Sequence, residues 1–214
     1  MGVAQPLIRP RREIHIVQLP VSFARRWSRR SRLSSILATG ALASVIAIGG
    51  LATTPAPAAA AGTAPWYSVE VFYLGLVNCT RTGGWVAQNG HCAGYGSGRY
   101  SRYVAPLRLN STLSAAARGW ATKLAAANAC QHGDPGARID AAGFNPRTWG
   151  ENIGCFNSIS DVKAAVIAVH RMMQAEKSTN GGHWKNMKNP AFKQIGIGIW
   201  VTSSRMRVVN DFIG

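Results

Sequence analysis

Apolar residues recur at helical spacing in two early parts of the chain. The stretch VEVFYLGLVNCTRT has Val71, Leu74 and Val77 or Cys79 near this period and predicts a first helix. A stronger helix follows Asn110 or Ser111, since either residue can cap it. Its apolar stripe advances in steps of four, three, four and three: Leu113, Ala117, Trp120, Leu124 and Ala127. Glycine-rich sequence between these two helices predicts an irregular loop.

Two further helices are predicted in the second half of the chain. DPGARIDAAGF indicates a turn, one or two helical turns and a stop at Gly143. SISDVKAAVIAVHRMMQAE indicates a longer helix that is capped by Ser158 or Ser160, with Asp161 in the first turn, where the helix dipole favours an acid. This helix is expected to end before the NGG sequence at 180–182.

The pattern changes near the end of the chain. IGIGIWV at 195–201 and RMRVVNDF at 205–212 are apolar, β-branched runs separated by a short polar turn, so they predict two antiparallel strands. Helices therefore come first and strands last. This order predicts an α+β fold in which helices pack on an antiparallel sheet.

Residues 1–61 differ from the rest and predict an export signal. Five arginines between Arg25 and Arg32 precede an apolar, uncharged segment from Leu33 to Leu51, and an alanine-rich end places Ala59 and Ala61 where a signal peptidase reads. A membrane anchor is the alternative, because the apolar run approaches the roughly 18 residues that span a bilayer. SRRSRLS also resembles a twin-arginine signal, which leaves the export route open.

Removal of residues 1–61 leaves a single domain of 153 residues with 16 basic and 7 acidic side chains, a formal charge of +9. Such a charge favours anionic partners, including a cell-surface polymer. The basic residues are scattered and form no clustered groove, so nucleic acid is the least favoured of these partners. No membrane span is expected in the domain, and the protein is expected to be secreted.

All four cysteines, Cys79, Cys92, Cys130 and Cys155, lie in the exported part. An even number of cysteines in an oxidising compartment predicts two disulfides, and three connectivities are open. The Asn89-Gly90 turn signal favours Cys79–Cys92, which leaves Cys130–Cys155. Zinc ligation by the four thiols is the competing interpretation, although no Cys-x-x-Cys pair occurs.

Two glutamates stand in apolar surroundings. Glu151 lies within WGENIG, and Glu176 either continues the apolar stripe of the last helix or turns into solvent at the helix end. His183 follows Glu176 by seven residues, and a Cys130–Cys155 disulfide would hold His132 near Glu151. Imidazole and carboxylate groups are ordinary zinc ligands, so the four residues predict either a cation site or a structural hydrogen-bond network.

These residues belong to motifs that resemble the CAP superfamily, which comprises the cysteine-rich secretory, antigen 5 and pathogenesis-related proteins, in its bacterial form. The motifs are LVNCTR, LRLNSTLSAAARGWATKLA, CQHGD, GENIG and GGHW...NPAFKQIGIGIW, and the resemblance covers about residues 66–214. It implies an α-β-α sandwich with the antiparallel sheet between the helices. A disulfide-tied insertion at about 83–105 departs from the simplest bacterial members and is expected to reshape or cover the cleft.

The resemblance also implies a cleft lined by His132, Glu151, Glu176 and His183, with the two histidines as first candidates for metal ligands. No cofactor is required, and zinc is the metal that the set can hold. Family members are said to bind lipids or partner proteins, so a secreted binding module for a small amphiphile is the preferred function. The alternative is a metal-dependent hydrolase using the same cleft, in which Glu151 or Glu176 acts as general base.

Overall fold

The computed structural model describes residues 14–18, 22–23 and 64–214. Within these ranges the helices are α1 (Tyr67–Arg81), α2 (Ser111–Ala126), α3 (Pro135–Ala141), α4 (Val162–Ala175) and α5 (Gly182–Lys188). The strands are β1 (Ile14–Gln18), β2 (Ser22–Phe23), β3 (Trp85–Val86), β4 (Cys92–Ala93), β5 (Arg108–Leu109), β6 (Thr148–Phe156), β7 (Gln194–Thr202) and β8 (Arg205–Ile213). The helices predicted from periodicity and both C-terminal strands are present, whereas β6 and α5 were not predicted.

Side-chain caps fix where three of the helices begin. Asn110 accepts the N–H of Leu113 at 3.0 Å and caps α2. Asp134 caps α3 by accepting the N–H of Ala137 at 2.9 Å. The prediction that Ser158 or Ser160 caps α4 is wrong, because Asp161 itself is the cap residue and accepts the N–H of Ala164. A carboxylate satisfies the free N–H and also interacts favourably with the helix dipole.

The main sheet has the strand order β1-β6-β8-β7-β5, and β2 also pairs with β6. The pairs β6–β8 and β7–β8 are antiparallel, whereas β5 pairs with β7 in parallel. The sheet is therefore mixed rather than wholly antiparallel. Helices on its two faces complete the predicted α-β-α sandwich.

The two faces of the sheet carry different helices. On one face, Gly196 and Gly198 let α2 approach closely, since a Cβ at Gly198 would stand 2.2 Å from the backbone of Ala117. On the other face, α1, α4 and α5 pack over apolar side chains of β7 and β8 in the larger core cluster, which includes Tyr73, Val166, Val169, Met187, Ile197 and Val208. Successive side chains of a strand point to opposite faces, so this division assigns each β6 side chain to one helix layer.

Residues 83–105, here called the lobe, form the predicted irregular segment with the two short paired strands β3 and β4. Cys79 is bonded to Cys92 and Cys130 to Cys155, which confirms the predicted connectivity. The first disulfide ties the lobe to α1. The second joins the loop before α3 to β6.

The predicted apolar signal segment, Leu33–Leu51, and the expected cleavage site at Ala61 lie outside the described residues. The export signal therefore stays a prediction. In the part of the chain that the structure describes, no helix is both long enough and apolar enough to cross a membrane.

Candidate functional site

Glu151 lies in the middle of β6 and is fully buried. Its partner in the antiparallel register is Asp211 of β8, so two carboxylates stand side by side on neighbouring strands. Both face the layer that contains α2 and α3. Burial of two acids is costly unless each has a compensating partner.

Arg138 and His132 supply these partners. The Arg138 guanidinium of α3 binds Asp211 through two hydrogen bonds, from Nη2 to Oδ1 at 2.9 Å and from Nε to Oδ2 at 3.1 Å. The same Nη2 donates to Oε1 of Glu151, and Oε2 of Glu151 bonds to Nδ1 of His132. These four residues are called the Glu151 network. A planar guanidinium suits this role because it can bind two carboxylates at once.

The electrostatics of the network follow from its burial. The pKa of Asp211 is raised to about 7, because the effects of burial and of the neighbouring Glu151 outweigh the opposite effect of Arg138. Burial alone would lower the pKa of Arg138, but its interactions with Asp211 and Glu151 outweigh this and raise the pKa. The guanidinium is therefore held in its charged form between the two acids.

Glu176 and His183 form a second pair, here called the Glu176 pair. Glu176 is the C-cap of α4 and begins a 3-10 turn over Glu176–Thr179. Its Oε1 lies 2.6 Å from Nδ1 of His183, and its Oε2 accepts the His183 N–H at 3.0 Å. The sequence left open whether Glu176 faces the core or turns into solvent. The structure shows a third arrangement, in which Glu176 turns back onto the first turn of α5.

The two pairs belong to different layers of the sandwich. Glu151 faces α3, whereas the next residue, Asn152, donates from Nδ2 to the backbone carbonyl of His183 at 3.1 Å on the α5 side. Asn186 of α5 donates to the Glu151 carbonyl at 2.9 Å and to Oδ1 of Asn152 at 2.8 Å. The pairs are thus linked through β6 but lie on its opposite faces, because neighbouring side chains of a strand alternate.

The histidines and glutamates do not fit one shared cation site of four ligands. Among the described residues, no group of three or more His, Cys, Asp or Glu side chains is arranged to hold a metal ion. Both carboxylate oxygens of Glu151 are already engaged, and a cation there would meet the positive charge of Arg138. One observation favours a ligand atom: the buried Nε2 of His132 has no hydrogen-bond partner among the described residues.

A cavity of about 640 Å³ opens beside the Glu151 network, between α2 and α3. Its lining is largely apolar, with a few polar groups: Thr112, Ala116, Trp120, Lys123, Asp134, Ala137, Arg138, Ala141 and Ala142. The Arg138 guanidinium lies 5.4 Å from the Trp120 ring, so it joins this cavity to the buried acids. The volume lies within the range of roughly 300–1,000 Å³ that is common for small-molecule sites.

Sequence reasoning missed Arg138 and Asp211. Asp211 lies within RMRVVNDF, an apolar run in which a buried acid is a signal of the same kind as Glu151 in WGENIG. Arg138 carries no such signal, because an arginine on a short helix is ordinarily a solvated side chain.

A comparison with known protein families gives one match. The family model described as "CAP: Cysteine-rich secretory protein family" matches residues 97–212, which is more than half of the chain. This match includes all four predicted site residues and the sheet from β5 onward, except for the last residue of β8, Ile213. No curated protein sequence matches the chain.

Three solved structures share low sequence identity with the chain. An extracellular protein containing a SCP domain from Bacillus anthracis is 21% identical with a TM-score of 0.40, over 51% of this chain and 34% of that one. The structure of NaASP2 with Zn2+ is 17% identical with a TM-score of 0.47, over 67% of this chain and 78% of that one. Hookworm Platelet Inhibitor is 14% identical with a TM-score of 0.41, over 69% of each chain. The chain thus spans about a third of the Bacillus anthracis protein.

Proposed function

The chain belongs to the cysteine-rich secretory protein (CAP) family, and we propose that it acts outside the cell as a binding protein for a small amphiphile. Extracellular location is general in this family. Two disulfides among the described residues support it, since such bonds persist in oxidising compartments.

The cavity beside the Glu151 network carries this proposal. Ala116, Ala137 and Trp120 supply an apolar wall, and Lys123 supplies an exposed cation. An amphiphile with an acidic head group would place its apolar part along the alanines and its head near Lys123. The network keeps α3 attached to the sheet through Arg138, which supports a preformed site.

Binding is favoured over hydrolysis by the state of the reactive groups. Glu151 has both oxygens engaged by His132 and Arg138, so it would have to lose a partner before it could accept a proton from water. All four cysteines are in disulfides, and no thiol is left as a nucleophile. These observations support a ligand site without turnover.

A calorimetric titration with dodecanoate tests the proposal. Ala137→Phe would fill the cavity from α3, and we expect it to raise the Kd about tenfold, a loss that corresponds to about 1.4 kcal/mol. The matched control is Ala126→Phe, which adds the same ring at an exposed position of α2 outside the cavity lining. We expect the control to bind like the wild type. Equal affinities for all three proteins would contradict this site.

Cation binding is the second candidate and is favoured by the unpartnered Nε2 of His132. A histidine that ligates a metal commonly donates its other ring N–H to a carboxylate, as His132 can to Glu151. Zinc calorimetry on the wild type, His132→Ala and His183→Ala tests this role. Uptake lost in both variants would support one shared site; if uptake is lost only in His132→Ala, zinc binds at the Glu151 network alone. Ester or peptide turnover abolished in both variants would establish the hydrolase alternative.

A further inference from the structure

A second cavity of about 450 Å³ opens beside the lobe, on the other side of the sandwich from the Glu151 network. It lies between the lobe and the C-terminal end of α4 and is lined by Trp85, Tyr100, Ala175, Lys177 and Ser178. None of these residues takes part in either His–Glu pair. The cavity is therefore independent of the proposed amphiphile site.

Two half-buried aromatic rings form the main surface of this cavity. The centroids of Trp85 and Tyr100 are 6.3 Å apart, and the ring planes are inclined by 38°. Lys177 donates to the Tyr100 carbonyl, and its ammonium lies 5.9 Å from the Trp85 ring. The result is an aromatic pocket with a cation fixed at its margin.

The protein core holds this pocket in place. Gln174 of α4, which is buried, accepts the Val86 N–H at 2.9 Å and donates to the Val86 carbonyl at 3.2 Å. The Cys79–Cys92 disulfide fastens the neighbouring strand to α1. Tyr100 itself is tied to Gly83 by a backbone hydrogen bond of 2.8 Å. Such anchoring lowers the entropic cost of ordering a site when a ligand binds.

The surroundings of the pocket are strongly basic. No aspartate or glutamate occurs between Glu70 and Asp134, so the lobe itself contains no acid. Arg99 lies over the Tyr100 ring at 5.5 Å, and Lys188 donates to the Arg102 carbonyl at 2.6 Å. None of the acids in the described ranges forms an ion pair with Arg99, Arg102, Lys177 or Lys188.

This excess of positive charge also affects the pKa of Lys188. Burial and, to a smaller extent, the neighbouring charges of Arg81, Arg102 and Lys177 together lower its pKa to about 8. Arg81 is buried, and its guanidinium donates only to backbone carbonyls, among them those of Ala105 at 2.9 Å and Met187 at 2.7 Å. A polyanion would therefore be attracted to this side of the molecule.

We propose that the lobe cavity binds a sugar ring of an anionic polysaccharide. The apolar face of the ring stacks on Trp85 and Tyr100, and its acidic group pairs with Lys177. Ser178 offers a hydroxyl at the same margin. This inference does not depend on the proposed amphiphile site, which lies in another layer.

A polysaccharide accounts for the pocket better than the other polyanions do. A pocket large enough for only one or two rings suits a sugar, whereas non-specific binding of a nucleic acid uses a basic groove that follows its backbone. A lipid surface would be expected to contact an extended apolar patch, whereas the exposed tyrosines of the lobe, Tyr95 and Tyr103, are interspersed with glycines and arginines. The two disulfides are typical of an oxidising, extracellular compartment, where an acidic polysaccharide of a cell surface could be met.

The test is a calorimetric titration of the full chain with a hexamer of galacturonic acid, with maltohexaose as the uncharged comparison. We expect Trp85→Ala and Lys177→Ala each to raise the Kd for the acidic hexamer about tenfold. Binding should weaken with added salt in the wild type and less so in Lys177→Ala. Maltohexaose should bind at least about tenfold more weakly than the acidic hexamer.

Lys163→Ala is the matched charge control, because Lys163 is an exposed lysine in the first turn of α4, about 20 Å along the helix from Lys177. It should leave the Kd unchanged. Trp85→Phe keeps an aromatic ring and should retain most of the affinity. The loss of affinity in Trp85→Ala can then be assigned to the missing ring and not to misfolding. An equal loss in Lys163→Ala, or unchanged binding in Trp85→Ala, would overturn the proposal. Tighter binding of oligo(dT) or phosphatidylglycerol vesicles, lost in Trp85→Ala, would also overturn it.

Discussion

Arg138 shows how one side chain can decide the chemistry of a site. Its guanidinium compensates both Glu151 and Asp211, which would otherwise be two buried acids on adjacent strands. The sequence marks Glu151 as unusual because of its apolar neighbours. It gives no means of assigning the partner, because that assignment depends on the register of β6 with β8 and on where α3 packs.

His170 is a buried residue that the sequence did not single out. It lies on α4, and its Nε2 is 2.8 Å from the Thr80 hydroxyl. Burial lowers its pKa to about 3. In the unfolded chain this histidine has an ordinary pKa of about 6.5, so below that pH it binds a proton that it does not bind in the folded protein. The free energy of unfolding is therefore highest above pH 6.5 and falls as the pH is lowered toward 3.

We therefore expect acid to destabilise the wild type more than His170→Gln. Between pH 7.5 and pH 5.0 the histidine should cost about 2 kcal/mol of unfolding free energy, an order-of-magnitude value. Urea unfolding at the two pH values measures this difference. Asp211 contributes with the opposite sign, because its pKa is raised, but it does so in both proteins and cancels. His91→Gln, at an exposed position, should lose as much unfolding free energy between the two pH values as the wild type does. An equal loss in His170→Gln would show that His170 is not the source of the pH dependence.

At the level of elements, β6 shows why a strand escaped prediction. Its sequence, TWGENIGCF, contains two glycines, an acid and an amide, all of which are uncommon in strands. The strand forms because its acid and its amide each have a partner on their own face: Glu151 contacts Arg138, and Asn152 contacts α5. Gly154 leaves room for Val169 of α4, whose side chain would be 2.3 Å from a Cβ there. These long-range contacts override local propensity.

The open edge of β7 is protected by side chains from two helices. Beyond the short pairing with β5, the Ile197 N–H donates to the Ser114 hydroxyl at 3.0 Å, and the Ile199 N–H donates to Glu70 at 3.3 Å. Both acceptors are buried. An edge strand whose donors are satisfied in this way does not offer them to another chain.

Ser114→Ala tests how much this protection contributes to the free energy of unfolding. The variant leaves the Ile197 N–H buried without an acceptor, so we expect a loss of about 1–3 kcal/mol in unfolding free energy. Urea denaturation measures the loss. Ser111→Ala, at an exposed position in the same helix, should change stability by no more than about 0.5 kcal/mol. Similar losses in the two variants would show that the Ser114 hydroxyl is not a significant acceptor.

At the level of the whole molecule, the sequence predicted the helices and strands of each layer better than it predicted how distant strands pair. Helical periodicity located α1, α2 and α4, and apolar, β-branched runs separated by a polar turn located β7 and β8. The parallel pairing of β5 with β7 joins residues that are far apart in the chain, which no local pattern encodes. For the same reason, the four predicted site residues could be named from motifs, whereas their division into two pairs on opposite faces of β6 required the three-dimensional register.

The last prediction concerns the edge of the sheet formed by the N-terminal region. In the full chain, β1 pairs with Asn152–Phe156 of β6, yet β1 belongs to the segment that we expect export to remove. A chain of residues 62–214 should therefore expose alternate β6 amides in this range, because amides of an antiparallel strand point in turn to its two neighbours. We expect hydrogen exchange at those amides to quicken at least about tenfold relative to the full chain, since unpaired edge groups are open to water. Amides of β7, two strands away, are the internal control and should be unchanged. Equal protection of β6 in both chains would show that β1 does not pair with it in solution.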